Sequence, residues 1–143
     1  MLIGEYSHSI DAKGRVFIPA KFREELGETF IVTSGTERCL FVFALKEWME
    51  FAGKLQNVPV TDTESQKFLR SQFASATECT PDKQGRILLP AKLREYAGLD
   101  KDVVAIGVMS RVELWAKDNW ETYNSYDDEE YQNALNKLSK IGI

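Results

Sequence analysis

Asp11-Ala-Lys-Gly-Arg-Val-Phe-Ile-Pro-Ala-Lys-Phe-Arg-Glu-Glu-Leu26 is answered 71 residues later by Asp82-Lys-Gln-Gly-Arg-Ile-Leu-Leu-Pro-Ala-Lys-Leu-Arg-Glu-Tyr-Ala97, and eight of the sixteen positions are identical. Several of the others exchange like for like: Val16 with Ile87, Phe17 with Leu88, Ile18 with Leu89. A repeat of this kind implies two copies of one small structural unit in one polypeptide. Whatever the unit does, it does in pairs, which favours a symmetric binding module over a single catalytic pocket.

Each copy reads as turn, strand, helix. Asp11 to Gly14 is a turn in which glycine supplies a positive φ and the aspartate side chain bonds the turn backbone. Val16 to Ile18 is rich in strand formers. Pro19 stops the strand and suits the first helical position, and Ala20 to Leu26 follow as a helix closed by Gly27. A strand at Tyr6–Ile10 precedes the turn, strands at Phe30–Thr33 and Cys39–Phe43 follow, and Lys46 to Lys54 reads as an amphipathic helix. The second half replays this order, with strands at Ala76–Cys79, Ile87–Leu89, Val103–Gly107 and Arg111–Trp115, and a helix from Asp118. Trp48 and Trp120 match at an offset of 72, so the repeat extends to about 45 residues. Thr63 to Ser75 reads as a helical connector whose counterpart is a C-terminal helix over Asp128–Lys140.

Units with only three or four short strands leave open edges and an apolar face, and pairing the two closes a shared core. The expected fold is therefore mainly β with short helices: two barrel-like units in tandem around a pseudo-twofold. The expected organisation is unit 1 over 5–47, a helical connector over 48–75, unit 2 over 76–119 and a C-terminal helical segment over 120–143.

Composition narrows the class. In 143 residues, 43% apolar and 28% charged content is that of a globular protein, and no apolar run approaches the roughly 20 residues that cross a bilayer. The first residues, MLIGEYSHSID, lack the basic and apolar regions of a signal peptide. Cys39 and Cys79 have no metal-like spacing and read as buried thiols, which points to the cytoplasm. The net charge is −4, yet Asp118 to Glu130 holds six carboxylates and no Lys or Arg, so the remainder is net positive and a basic patch can coexist with an acidic segment facing elsewhere. Catalytic patterns are absent: His8 is the single histidine and reads as a strand-surface or packing residue, and no CxxC, HExxH, GxSxG or Walker pattern occurs. Trp48, Trp115 and Trp120 read as core.

The residues left to carry function lie in Asp-x-x-Gly-Arg-φ-φ-φ-Pro-Ala-Lys-φ-Arg-Glu, where φ is apolar. Asp11 with Arg15, and Asp82 with Arg86, bracket the two turns and can form bidentate ion pairs. Asp11, Gly14, Asp82 and Gly85 then shape the turns, while Arg15 beside Lys13, and Arg86 beside Lys83, offer donors outward. Two such turns about a twofold suit duplex DNA, where arginine binds phosphate or reads guanine. Lys21 and Arg23 add a second tier, with Lys92 and Arg94 at the matching places, and Arg23 has Glu24 or Glu25 within reach as an alternative partner.

The motif resembles that of the MraZ family. The resemblance spans the chain: Gly4-Glu5-Tyr6, then Ile10-Asp11-Ala-Lys-Gly-Arg15, Ile18-Pro-Ala-Lys21, Ala76-Thr-Glu-Cys-Thr-Pro-Asp82-Lys-Gln-Gly-Arg86, Ile106-Gly-Val108 and Arg111-Val-Glu-Leu-Trp115. It implies AbrB-like swapped-hairpin β-barrel units, two per chain, like an AbrB-type dimer fused in tandem. It implies a transcriptional regulator of the division and cell-wall gene cluster that binds short direct repeats in its own promoter through Asp-x-x-x-Arg turns. It also implies a homo-oligomeric ring, nucleoid association, no cofactor and no small-molecule substrate. Both motifs are intact here, though Lys13 in the first turn aligns with Gln84 in the second. The competing class is an interaction module like the antidotes of toxin–antitoxin pairs, which implies a disordered toxin-wrapping tail. Tyr131, Leu135 and Leu138, at helical spacing, argue instead for a packed helix.

Overall fold

The computed structural model describes residues 1–143. Eight strands and six helices follow in order: β1 Ile3–Ser9, β2 Arg15–Phe17, α1 Ala20–Leu26, β3 Phe30–Ser34, β4 Leu40–Ala44, α2 Leu45–Gln56, α3 Thr63–Ser75, β5 Thr77–Cys79, β6 Arg86–Leu88, α4 Ala91–Ala97, β7 Asp102–Val108, β8 Val112–Ala116, α5 Lys117–Tyr123 and α6 Asp128–Ser139. The expectation of a mainly β chain with short helices needs correcting to mixed α/β. Three helices, α2, α3 and α6, run to twelve or thirteen residues, longer than any strand.

The pairing scheme follows from the repeat. Six strands form one antiparallel sheet in the order β1-β7-β8-β4-β3-β5, and β2 pairs with β6 in a separate two-stranded ribbon. Strands of the two halves interleave. The first strand of each half pairs with the third strand of the other: β1 with β7, and β5 with β3. At the centre, β4 meets β8, and Val16 faces Ile87 in the ribbon, so like meets like across a pseudo-twofold. A three-residue strand such as β2 cannot stand alone, and its counterpart in the other half supplies its hydrogen-bonding partner. The six-stranded sheet is open, with β1 and β5 as its edges.

Alternation along the strands divides the apolar residues between two faces. One face carries the larger cluster, where Val32, Val42, Val103, Ala105 and Leu114 meet the ribbon residues Val16, Ile18, Ile87 and Leu89 and the helix residues Phe22 and Leu93. Both halves contribute to this single core. The other face carries Cys39, Phe41, Phe43, Val104, Ile106 and Trp115, covered by Trp48 and Phe51 of α2 and Trp120 of α5. Of the three tryptophans expected in the core, Trp115 is buried, Trp120 packs on it from α5, and Trp48 packs on Phe43 from α2. Cys39 and Cys79 are buried free thiols. Burial pushes Cys39 up to about 12 and Cys79 up to about 11.

The C-terminal helix departs from expectation. Residues Asp128–Ser139 do form it, with the Asp127 carboxylate accepting from the Glu130 N–H at its start. Tyr131, Leu135 and Leu138 nevertheless remain exposed, and α6 buries none of its residues. The helical spacing is right, but the packing it argues for is not made within the chain. No helix is long and apolar enough to cross a membrane.

Candidate nucleic-acid interface

The two turns are built alike to the atom. Asp11 Oδ1 accepts from the backbone N–H of Lys13 at 3.0 Å and of Arg15 at 2.9 Å, and Oδ2 accepts from Arg15 Nε at 2.7 Å. Asp82 Oδ1 accepts from Gln84 N–H at 2.9 Å and Arg86 N–H at 3.0 Å, and Oδ2 from Arg86 Nε at 3.0 Å. The loop closes on the backbone as well: the N–H groups of Asp11 and Asp82 donate to the carbonyls of Arg15 and Arg86, and those of Gly14 and Gly85 donate back to Asp11 and Asp82. Gly14 and Gly85 sit at φ of 87° and 82°, where a Cβ is strained.

The expected bidentate side-chain pair is therefore replaced by a different division of labour. One carboxylate oxygen holds the turn backbone, and the other takes a single Nε bond. The Nη groups of Arg15 have no partner in the chain. Arg86 Nη1 lies 3.9 Å from Asp11 Oδ2, so the carboxylate of one turn also faces the arginine of the other. The backbone N–H of Arg15 is the largest influence holding Asp11 below the usual carboxylate range, and that of Arg86 does the same for Asp82. Both carboxylates are thus ionised throughout the neutral range. The guanidinium groups of Arg15 and Arg86 stay about one-third exposed.

The ribbon sets these turns side by side. Ile18 N–H donates to Gly85 O, and Leu89 N–H to Gly14 O, each at 2.9 Å, so each strand end is stitched to the other half's turn. The helix that follows each strand completes the arrangement. Arg23 Nε donates to Ile18 O at 2.9 Å, and Arg94 Nε to Leu89 O at 3.0 Å. Arg23 therefore satisfies a ribbon carbonyl rather than Glu24 or Glu25, and Glu25 instead pairs with the Met1 amine. A Cβ on Gly85 would stand 2.6 Å from Arg23 Cζ, and one on Gly14 would stand 2.6 Å from Arg94 Nε. The helix arginine of each half thus packs on the turn glycine of the other. Arg94 belongs to the cluster on the same footing as Arg23. The repeat had already matched the two residues, but their packing across halves is not written in either copy.

Lys13, Lys21 and Lys83 are exposed around these arginines, as is Lys92 on α4. Lys83 stands one position before Gln84, the residue that matches Lys13, so the second turn carries its cation at a different place on the tip. The acidic residues of α5, Asp118 and Glu121, belong to a helix packed on the opposite face of the sheet from the ribbon. His8 lies on β1 against Phe17, with ring centroids 4.8 Å apart, and its burial lowers its pKa.

A cleft of about 620 Å³ lies between α3 and α4 and is lined by one carboxylate, Glu37, with no histidine or cysteine. No group of three or more His, Cys, Asp or Glu is placed to hold a metal ion. The arrangement offers paired cations on a rigid, twofold-related ribbon.

Comparison with known proteins agrees with this duality. The family model described as "MraZ protein, putative antitoxin-like" matches twice, over residues 1–71 and 72–140. A protein of Thermoanaerobacter sp. (strain X514), called a transcriptional regulator MraZ, is 51% identical over the full length of both chains. One of the same name from Acetivibrio thermocellus is 52% identical, again over the full length of both. A third, from Carboxydothermus hydrogenoformans, is 54% identical over 96% of each chain.

Proposed function

This chain belongs to the MraZ family, and we propose that it is a sequence-specific DNA-binding transcriptional regulator that grips duplex DNA with its two Asp-x-x-x-Arg turns. The observation that carries this reading is the pair of matched carboxylate clamps on one ribbon. Each carboxylate uses three hydrogen bonds to fix a turn and orient a guanidinium through its Nε, and no Nη of either arginine donates a hydrogen bond within the chain. Ordering an arginine before binding lowers the entropy lost on contact. In this reading Arg15 and Arg86 reach base edges or phosphates, Lys13, Lys83, Lys21 and Arg23 hold the flanking phosphates, and Asp11, Gly14, Asp82 and Gly85 shape the turns. No reaction is catalysed and no cofactor is required.

The finer reading is a repressor of its own division and cell-wall promoter, acting at the nucleoid in the cytoplasm. Its two AbrB-like units act together, and several copies of the chain assemble, as a ring, over short direct repeats. A monomer with two turns and a net charge of −4 is poorly equipped for tight binding. Several copies on repeated sites raise the effective concentration of each contact.

The test is a salt titration of binding to the chain's own upstream DNA against a scrambled duplex of equal length. The upstream duplex should bind more tightly at every salt concentration, and log K should fall linearly with log salt, by about 0.9 for each phosphate neutralised. Equal affinities for the two duplexes would overturn sequence-specific binding.

A further inference from the structure

We propose that Leu88 reads the 5-methyl group of a thymine in the major groove, beside the base that Arg15 contacts. This rests on the DNA-binding reading above and assigns a base-reading residue that lies outside both Asp-x-x-x-Arg turns.

The ribbon of β2 and β6 has an inner and an outer face. Val16 and Ile87 stand directly opposite one another, each 1% exposed, and mark the face that enters the core. Side chains alternate along a strand, so Arg15 and Phe17 of β2 share the outer face with Arg86 and Leu88 of β6. The register sets Leu88 directly across from Arg15, and Phe17 across from Arg86. Each turn arginine is therefore paired with an apolar residue that the other half supplies. Leu89 N–H donates to Gly14 O at 2.9 Å, which holds Leu88 beside the first turn.

The two apolar residues differ in cover. Phe17 has the His8 ring centroid 4.8 Å from its own, and the Arg23 guanidinium lies 5.3 Å from it. Leu88 has Cys79 in the second copy where the first has His8, and it remains 62% exposed. One exposed leucine means little by itself. This one stands within the cationic strip, across from Arg15 and two positions from Arg86, with exposed Lys13 and Lys83 on the turn tips. Its neighbours Ile87 and Leu89 belong to the core, and Leu88 does not.

Duplex DNA offers a matching group. The major groove admits a two-stranded β-ribbon, and thymine alone among the four bases presents a methyl group there. The arginines and lysines of the turns carry donors suited to guanine or phosphate, and a methyl needs an apolar partner. Cross-strand neighbours hold their Cβ atoms about 4.5–5.5 Å apart, and successive bases are spaced about 3.4 Å along a strand. Arg15 and Leu88 can therefore meet adjacent base pairs together, a guanine under the guanidinium and a thymine under the leucine. At the second turn the matching place is held by Phe17, beneath His8 and Arg23. The ribbon thus reads its site in one direction, although its backbone follows a pseudo-twofold.

The test uses the full chain and its own upstream duplex, with each thymine position replaced in turn by deoxyuridine. That exchange removes the methyl and keeps every hydrogen-bonding group. Wild type and Leu88→Ala are titrated against each duplex, and circular dichroism confirms that the variant is folded. For wild type, deoxyuridine at the thymine next to the guanine at which Arg15→Ala loses discrimination should weaken binding about fourfold, the worth of one buried methyl group. L88A should bind the unmodified duplex at least that much more weakly and lose nothing further on deoxyuridine. A wild type indifferent to deoxyuridine at every thymine, yet still preferring its upstream duplex to the scrambled one, would overturn the role of Leu88 and leave the DNA-binding reading standing. A deoxyuridine effect of full size in L88A would do the same, because another residue then reads the methyl. Equal affinities for upstream and scrambled duplexes would overturn the DNA-binding reading, and this one with it.

Discussion

Asp11 spends one carboxylate on three donors, and that economy decides what its neighbour can do. Removing Arg15 and removing Asp11 should therefore have different signatures. Arg15→Ala removes a one-third-exposed guanidinium whose single hydrogen bond in the chain runs from its Nε to Asp11, so the unfolding midpoint should fall only slightly while operator binding weakens by about 1–3 kcal/mol of discrimination, the worth of a base-reading arginine. Superimposable binding curves for R15A and wild type would remove Arg15 from the interface. Asp11→Ala makes the turn more positive yet leaves it unshaped. Affinity for non-specific duplex should hold or rise while preference for the operator falls, measured as the ratio of the two dissociation constants. The pH dependence can be signed from the same residues. His8 has its folded pKa lowered by burial, so its contribution to stability is present above its unfolded value of about 6.5 and is lost as pH falls through the lower folded value. Asp11 and Asp82 act the same way, but only below about pH 4, where their unfolded carboxyls take up protons. Stability followed by urea unfolding should thus decline from about pH 6.5 downward, and His8→Gln should flatten that first decline while leaving the one below pH 4. An unchanged slope in H8Q would assign the first decline to other groups.

At the level of elements, α1 and α4 do two jobs with opposite faces. Phe22 and Leu93 are buried in the shared core, while Arg23 and Arg94, one position on, brace the ribbon carbonyls. Phe22 also meets Tyr6 edge-on, with ring centroids 5.1 Å apart. Phe22→Ala should cost about 3–5 kcal/mol, the usual penalty for emptying a fully buried phenylalanine site. Because α1 carries Arg23 onto Gly85, that substitution should also weaken DNA binding more than the fraction unfolded accounts for. Chemical denaturation and a binding titration on the folded fraction separate the two effects. A variant that loses stability but binds at full strength once folded would show that the helix does not set the turn. The elements themselves were legible beforehand: α1 occupies the span read from proline, glycine and apolar spacing, and α3 the span read as a helical connector. Most strand ends shifted by a residue, but β1 begins at Ile3, three residues before the expected Tyr6, because β7 pairs with it as far as Val108. Arg15 and Arg86 already pair in the ribbon, because the antiparallel partner extends β2 and β6 back to the turn.

For the whole molecule, the interleaving of halves governs stability. β1 finds its partner in β7, β3 needs β5, and β2 needs β6. Neither half owns a complete sheet, although each matches the family by itself. A chain of residues 1–71 should therefore fail to fold as a monomer, and the intact protein should unfold in one cooperative transition seen alike by near- and far-ultraviolet circular dichroism. A monomeric 1–71 fragment with a sharp thermal transition would show that the halves are independent. The same interleaving sets α5, with Asp118 and Glu121, on the far side of the sheet from the turns. A chain of net charge −4 can thereby offer a cationic ribbon to DNA.

The sequence by itself determined the duplication, the order of elements, the two Asp-x-x-x-Arg turns and the kinship they carry. Each of these is local, set by neighbours in the chain and by a spacing that repeats. Tertiary structure alone decided the rest. Mixed α/β proportions replaced the mainly β expectation because α2, α3 and α6 run to twelve or thirteen residues while the strands, each completed by a partner from the sheet or ribbon, stop at three to seven. Arg23 turned from Glu24 and Glu25 to a backbone carbonyl because β2 ends within its reach, and Arg94 joined the cluster because it lies on the glycine of the other half. The exposed face of α6 could not be foreseen either: helical periodicity says which residues will be covered together, and never by what.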